Sequence, residues 1–95
     1  MPEFLFCFGY ESPAELHQNE LHGTDFESSQ AIWIDASDEN AALNWGCEIA
    51  ERFYAQLCNR SWREDEYAYW LESLPVVEPQ IQHVKVGEFP HFSDW

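Results

Sequence analysis

A strand that runs directly into a long amphipathic helix occupies residues 31–57, and this pair of elements constrains the fold most. Apolar and other residues alternate over 31–36, which is the spacing of a strand. Ser37 stands at the expected N-cap position, with acids in the first helical turn, where they interact favourably with the positive helix end. The helix is predicted over about 38–58. Its apolar stripe is formed by Ala42, Trp45, Ile49, Phe53 and Leu57.

The expected partner of this stripe is a sheet. Gly46 and Ala50 lie beside the stripe, and small residues there let a helix approach a sheet closely. The first strand is predicted over residues 3–10 and is apolar on both faces. One face carries Phe4, Phe6 and Phe8, and the other carries Leu5 and Cys7. Such a strand is typical of the centre of a sheet, covered on each side, or covered by helix on one side and by a partner on the other.

A short helix is predicted over residues 13–21. Ser12 and Glu15 form a capping box with proline at the first helical position, and Gly23 can end the helix with a positive φ. Because this segment contains only two large apolar residues, we expect it to lie on the surface of the domain.

Residues 62–74 have two interpretations. Ser61 and Glu64 form a second capping box, and apolar residues recur at helical spacing until Pro75, which favours a helix. The rival interpretation is a strand, because every second residue from Tyr67 to Leu71 is also apolar or aromatic. The capping box favours the helix.

A third strand is predicted over residues 81–87. Its inward residues are Val84 and Val86, while His83 and Lys85 face solvent, which is typical of an edge strand. The aromatic tail after this strand has no period, and it either docks on the body of the protein or contacts a partner. Its large residues are Phe89, Phe92 and Trp95.

These elements follow one another in the order β-α-β-α-α-β. The 95 residues are enough for one domain, which we assign to residues 1–95. A sheet of about three strands, with one long and two shorter helices, packs most economically as a small two-layer α/β or α+β domain. So short a chain needs large core side chains, and 17% of its residues are aromatic.

The charge limits the classes of partner. With 18 acids against 4 bases, the net charge is −14. Nucleic acids and anionic membranes attract Lys and Arg, so neither is an expected partner. A basic protein is the expected partner, because opposite charge steers encounter. The alternative is that the charge serves solubility alone.

The cysteines and the first residues indicate a compartment. Cys7, Cys47 and Cys58 form an odd set without a recognisable spacing, and the last two would lie about 16 Å apart along one helix. The start of the chain has no basic signal segment, and no apolar run is long enough to span a bilayer. We therefore expect free thiols and a cytoplasmic protein.

No pattern for cofactor or metal chemistry is present, and a non-enzymatic role is favoured. The glycines stand singly, so no phosphate-binding loop is predicted. The histidines and cysteines lack metal-ligand spacing. The cysteines lie on predicted strands and helices, where thiols are typically buried and inert. No cofactor, metal site or catalytic residue is predicted.

The predicted contact surface is the acidic segment 20–27, joined by residues from the two strands if the fold brings them near. Its candidate binding residues are Tyr10, Glu20, His22, Asp25, Glu27, Ser28 and Asp35. A second candidate surface is the acidic segment 64–66 with Tyr67 and Tyr69.

Three functions fit these observations. The first is a small acidic binding protein that docks on or inhibits a basic macromolecule, as an inhibitor or immunity-type protein does. The second is a small enzyme or ligand-binding domain with a pocket formed by loop 22–29 and Asp35, because ligands of open α/β sheets lie at the carboxyl ends of strands. The competing explanation of Asp35 is a local role at the start of the helix. The third function is a structural homodimer, suggested by the two apolar faces of the first strand.

Overall fold

The computed structural model describes residues 2–72 and 81–95. The elements are β1 Glu3–Tyr10, α1 Pro13–His22, β2 Ser28–Asp35, α2 Glu39–Cys58, β3 Tyr69–Glu72 and β4 His83–Lys85, followed by a 3₁₀ turn at Phe92–Asp94. The predicted small two-layer fold is confirmed. Within the described ranges it has four strands and two helices, because a strand stands where the third helix is predicted.

The four strands form one mixed sheet in the order β3-β1-β2-β4. β1 pairs antiparallel with β2 and with β3, whereas β2 pairs parallel with β4. The central position predicted for β1 is therefore confirmed, and so is the edge position of β4. In register, Phe6 lies between Ile32 of β2 and Leu71 of β3.

The core lies between α2 and one face of the sheet. Alternation along the strands places Phe6, Ile32 and Val84 on this face. From α2 the buried residues are Ala42, Gly46, Ile49, Ala50, Phe53 and Tyr54. The stripe predicted from sequence is thus largely correct, although Leu57 at its end is exposed and Trp45 is only partly buried.

The opposite face of β1 is also apolar and buried. Leu5 is 2% exposed and Cys7 is buried as well. Leu5 is paired with Trp33, and Cys7 is paired with Trp70, so a tryptophan from each neighbouring strand shares this face.

α1 lies on the surface, as predicted, and none of its residues is buried. Its capping box forms: the Ser12 hydroxyl accepts from the Glu15 amide, and the Glu15 carboxylate accepts from the Ser12 amide. Gly23 ends the helix in the left-handed region, with φ 64°. Polar capping, rather than apolar burial, therefore holds this helix in place.

The N-cap of α2 is Asp38 and not Ser37 as predicted. The Ala36 amide still donates to the Pro2 carbonyl, which continues the pairing of β2 by one residue and keeps the chain extended. The helix consequently begins one residue later, and the Asp38 carboxylate accepts from the Ala41 amide at 2.8 Å. At the other end Asn59 is the predicted helix end, in the left-handed region.

The helix predicted over 62–74 is wrong for the part that the structure describes. Residues 62–66 form turns, and Tyr69–Glu72 is strand β3. Ser61 does accept from the Glu64 amide, at 3.4 Å, but the chain leaves the helical region at Glu66, where φ is 57°. Pairing with β1 then decides the conformation. Residues 73–80, including the predicted helix end and connector, lie outside the described residues.

The C-terminal segment docks on α2. In β4, Val84 faces inward and His83 and Lys85 face solvent, as predicted, whereas Val86 is exposed because the chain turns at residues 86–87. The tail then packs on the helix through three aromatic contacts, which are Phe89 on Trp45 and both Phe92 and Trp95 on Phe53.

Candidate protein-binding surface

The C-terminal end of α1 and the loop after it are exposed, apart from the half-buried Thr24. We call this segment the α1 surface, and it consists of Glu20, Leu21, His22, Asp25, Phe26 and Glu27. Two of its side chains are large and apolar yet open to water, with Leu21 62% and Phe26 57% exposed. Apolar side chains surrounded by charge are typical of a site at which another protein docks.

One side chain, Asn19, holds the loop against α1. Its Oδ1 atom accepts from the Phe26 amide at 2.9 Å and from the Thr24 hydroxyl at 2.8 Å. Its Nδ2 atom donates to the Phe26 carbonyl at 3.0 Å and to Glu11 Oε2 at 2.7 Å. Because both backbone groups of Phe26 are bonded to one amide, the exposed ring is presented on a fixed backbone.

Glu11 connects this loop to the core. While Oε2 accepts from Asn19, Oε1 accepts from the Tyr67 hydroxyl at 3.2 Å. The Tyr67 hydroxyl also lies 3.0 Å from that of Tyr54, which is fully buried. A continuous series of hydrogen bonds therefore joins α2 to the backbone of the exposed loop.

A second carboxylate, Glu15, ties the start of β2 to α1. Its Oε1 atom accepts from the Ser28 hydroxyl at 2.8 Å and from the Ser12 amide at 2.9 Å. Partial burial acts to raise the pKa of Glu15, but the hydrogen bonds from Ser12 and Ser28 outweigh it and hold the pKa below its ordinary value. Glu15 therefore stays charged at neutral pH and adds to the negative potential of this end of the protein.

Replacing Asn19 with aspartate is expected to release the loop. Both Nδ2 donors are lost and a new carboxylate faces that of Glu11, so we expect a loss of about 2 kcal/mol in local stability. The measurement is hydrogen exchange of the Phe26 amide, which should become markedly faster.

Asn44, on the exposed face of α2, provides the matched control, because Asn44→Asp makes the same chemical change away from the loop. Equal Phe26 exchange rates in the Asn19→Asp variant and the wild type would contradict this role for Asn19.

The cations lie elsewhere in the chain. All 4 Lys and Arg residues fall between Arg52 and Lys85. Arg60 pairs with Asp65 at 3.1 Å and Arg63 with Glu48 at 2.7 Å, while the Arg52 guanidinium lies 4.1 Å from the centre of the Phe89 ring. The segment that forms the α1 surface contains no Lys or Arg, so its carboxylates outnumber its cations.

The structure brings together some of the predicted binding residues. Tyr10 is paired with Ser28, next to the loop, but its ring is buried against Phe53, with centroids 5.1 Å apart. Asp35 is paired with Glu3 at the opposite end of β2, about 23 Å along the strand from Ser28. The length of β2 thus separates Asp35 from loop 22–29, which it would have to join to form the predicted pocket.

Sequence reasoning missed the residues that organise this surface. Asn19 and Glu11 carry no local pattern that marks them, because their partners lie in the loop and in the turn before β3. Leu21 and Phe26 did carry a signal, since neither has an apolar neighbour at helical or strand spacing with which to form a buried face.

The thiols are poor candidates for nucleophiles. Cys7, Cys47 and Cys58 are free, and burial raises the pKa of each thiol above its ordinary value. A raised pKa leaves little thiolate at neutral pH, and the thiolate is the reactive form.

Residues 2–72 and 81–95 contain no group of three or more His, Cys, Asp and Glu side chains able to hold a metal ion. Over the same ranges, neither helix has the length and apolar character needed to cross a bilayer.

Comparison with protein-family models, with curated proteins and with solved structures finds no match for this chain.

Proposed function

We propose that this protein is a small acidic binding protein that docks on a basic protein partner through the α1 surface. The observation that carries the proposal is the exposure of Leu21 and Phe26 among the carboxylates of Glu20, Asp25 and Glu27. Aromatic and aliphatic anchors supply most of the affinity of an interface, whereas charges around them favour the correct partner and speed its encounter.

The fixed backbone of the loop supports the same conclusion. Association costs free energy when loops must be ordered, and Asn19 orders this loop before any partner arrives. The interaction of an inhibitor or immunity-type protein with a basic enzyme is a binding event of this kind.

Two pairs of substitutions test the proposal. Leu21→Ala with Phe26→Ala removes the apolar anchors, and Glu20→Gln with Glu27→Gln removes charge at constant size. We expect a basic protein from extracts of the native cells to bind the wild type. The affinity of the purified partner for the wild type and for each variant is then measured at low and moderate salt. The first pair should weaken affinity by at least about tenfold with an unchanged salt dependence. The second should weaken affinity and flatten its salt dependence.

Matched controls lie on other parts of the surface. Leu57→Ala with Val86→Ala removes two exposed apolar side chains, and Glu39→Gln with Glu64→Gln removes two exposed charges. Both control pairs should bind as the wild type does. The proposal would be overturned if both test variants bound the partner with wild-type affinity. It would also be overturned if no salt-sensitive basic partner were found.

A further inference from the structure

A cavity of about 360 Å³ lies between α2, the 61–66 turn and β3. It is separate from the α1 surface. Its lining residues are Cys47, Trp62, Arg63, Glu66, Tyr67 and Tyr69. Three of the six are aromatic, and they come from segments that sequence analysis assigned to a single helix.

The aromatic walls of the cavity are held in place. The rings of Trp62 and Tyr69 meet at 55°, with centroids 5.5 Å apart, and form a corner in which Tyr69 is 49% exposed and Trp62, at 2%, is the buried support. The Trp62 indole N–H donates to the Gly9 carbonyl at 2.9 Å, which fixes that ring. Tyr67 is fixed by the edge-to-face contact of its ring with Tyr54 and by its hydroxyl bond to Glu11.

Three carboxylates, those of Glu48, Glu51 and Glu66, lie at or beside the cavity, against the one guanidinium of Arg63. Arg63 lines it, but its guanidinium is paired with Glu48 at 2.7 Å, and its amide donates to Glu51 at 2.9 Å. Glu66 therefore adds a carboxylate that the arginine does not balance. An aromatic corner with an added carboxylate is the arrangement that recognises alkylammonium groups through their interaction with ring faces.

The backbone at Glu66, which lines the cavity, has an uncommon conformation. Its φ of 57° lies in the left-handed region, which is unfavourable for a long side chain and is normally occupied by glycine or asparagine. The turn is held in this shape by Glu51, whose two oxygens accept from the Ser61 hydroxyl and the Arg63 amide. Strained backbone of this kind is concentrated at binding sites.

From this geometry we infer that the cavity binds an alkylammonium group, either a lysine side chain, methylated or not, or a free quaternary ammonium compound. The lysine source rests on the proposed function, because a basic partner would supply it. The free compound does not depend on that function.

The experiment measures binding of choline by NMR, through the Trp62 indole N–H signal. Choline is compared with 3,3-dimethylbutan-1-ol, which has the same shape but no charge, and with sodium chloride at equal ionic strength. We expect saturable shifts with choline and about tenfold weaker binding of the neutral compound. Tripeptides with lysine, trimethyllysine or norleucine at the centre form the second arm. Tighter binding of the two cationic peptides than of choline identifies a partner's side chain, whereas choline binding at least as tightly as those peptides identifies a free ligand.

Three variants separate binding from folding. Glu66→Gln should weaken choline binding by about tenfold, while Glu64→Gln, an exposed acid in the same turn that does not line the cavity, should leave it unchanged. Tyr69→Leu removes an aromatic ring of the cavity at an exposed position, and it should also weaken choline binding. Equal binding of choline and its neutral analogue, equal effects of the two glutamine variants, or no saturable shift with any cation would overturn the inference. Loss of docking at the α1 surface leaves the choline result unaffected, so the two proposals fail independently.

Discussion

Replacing Trp62 with alanine should lower the free energy of unfolding by about 4 kcal/mol. Trp62 is 2% exposed, and its ring packs edge-on against Phe8, with centroids 5.9 Å apart. Truncation to alanine leaves a large cavity beside the central strand and also removes the hydrogen bond to the Gly9 carbonyl. The measurement is urea denaturation followed by circular dichroism.

Two further variants make the Trp62 prediction sharper. Trp70→Ala removes the same atoms from a side chain that is 42% exposed, and should cost no more than about 1.5 kcal/mol. Trp62→Phe keeps an aromatic ring and loses the indole donor, so its effect should lie between the two and remain measurable if Trp62→Ala does not fold. A cost for Trp70→Ala that equals that for Trp62→Ala would contradict the structural role of Trp62.

Gly46→Ala should also destabilise the protein, by about 2 kcal/mol, although alanine is the better helix former. A Cβ at position 46 would overlap with the ring of Phe6, which is fully buried and packed against the rings of Phe8 and Tyr69. The glycine thus allows α2 to approach β1 closely, in agreement with the role expected for small residues beside the helix stripe. Thermal and urea denaturation measure the loss.

A double-mutant cycle tests the cause of this loss. Phe6→Leu reduces the volume that the new methyl group meets, so Gly46→Ala should cost less in that background than in the wild type. Gly9→Ala is the matched control, because a Cβ there meets its neighbours at an ordinary 3.8 Å. A cost of Gly46→Ala that is the same in the wild type and in the Phe6→Leu background would show that overlap with this ring is not the reason.

The parts of the fold that sequence predicted well are those that local pattern determines. The α2 stripe, the α1 capping box, and the ends of both helices at Gly23 and Asn59 all depend on residues within a few positions of one another. The helix predicted over 62–74 failed because its capping signal competes with a distant partner. Strand β3 forms because β1 offers an edge some sixty residues earlier in the chain, and only the tertiary structure decides between them.

The candidate sites show the same contrast between features set by local sequence and features set by tertiary contacts. The acidic character and exposure of segment 20–27 were predictable from composition, but the contacts of Asn19 and Glu11 that fix its shape were not, because each joins separate elements. Asp35 was placed with that segment on a general rule for strand ends. Because loop 22–29 leads into β2 and Asp35 ends it, the length of this one strand holds them apart, and the order of the two segments in the sequence already implied this separation.

The central place of β1 has a consequence for how the protein is made. During translation the phenylalanine-rich strand β1 is made well before its neighbour β3, which lies at residues 69–72. Until β3 is made, this apolar strand has an unpaired edge that is exposed to other nascent chains. Unpaired strand edges of this kind are prone to incorrect association. Of the two paired strands, the one made earlier therefore waits for its partner, and incorrect association is most favoured during that interval.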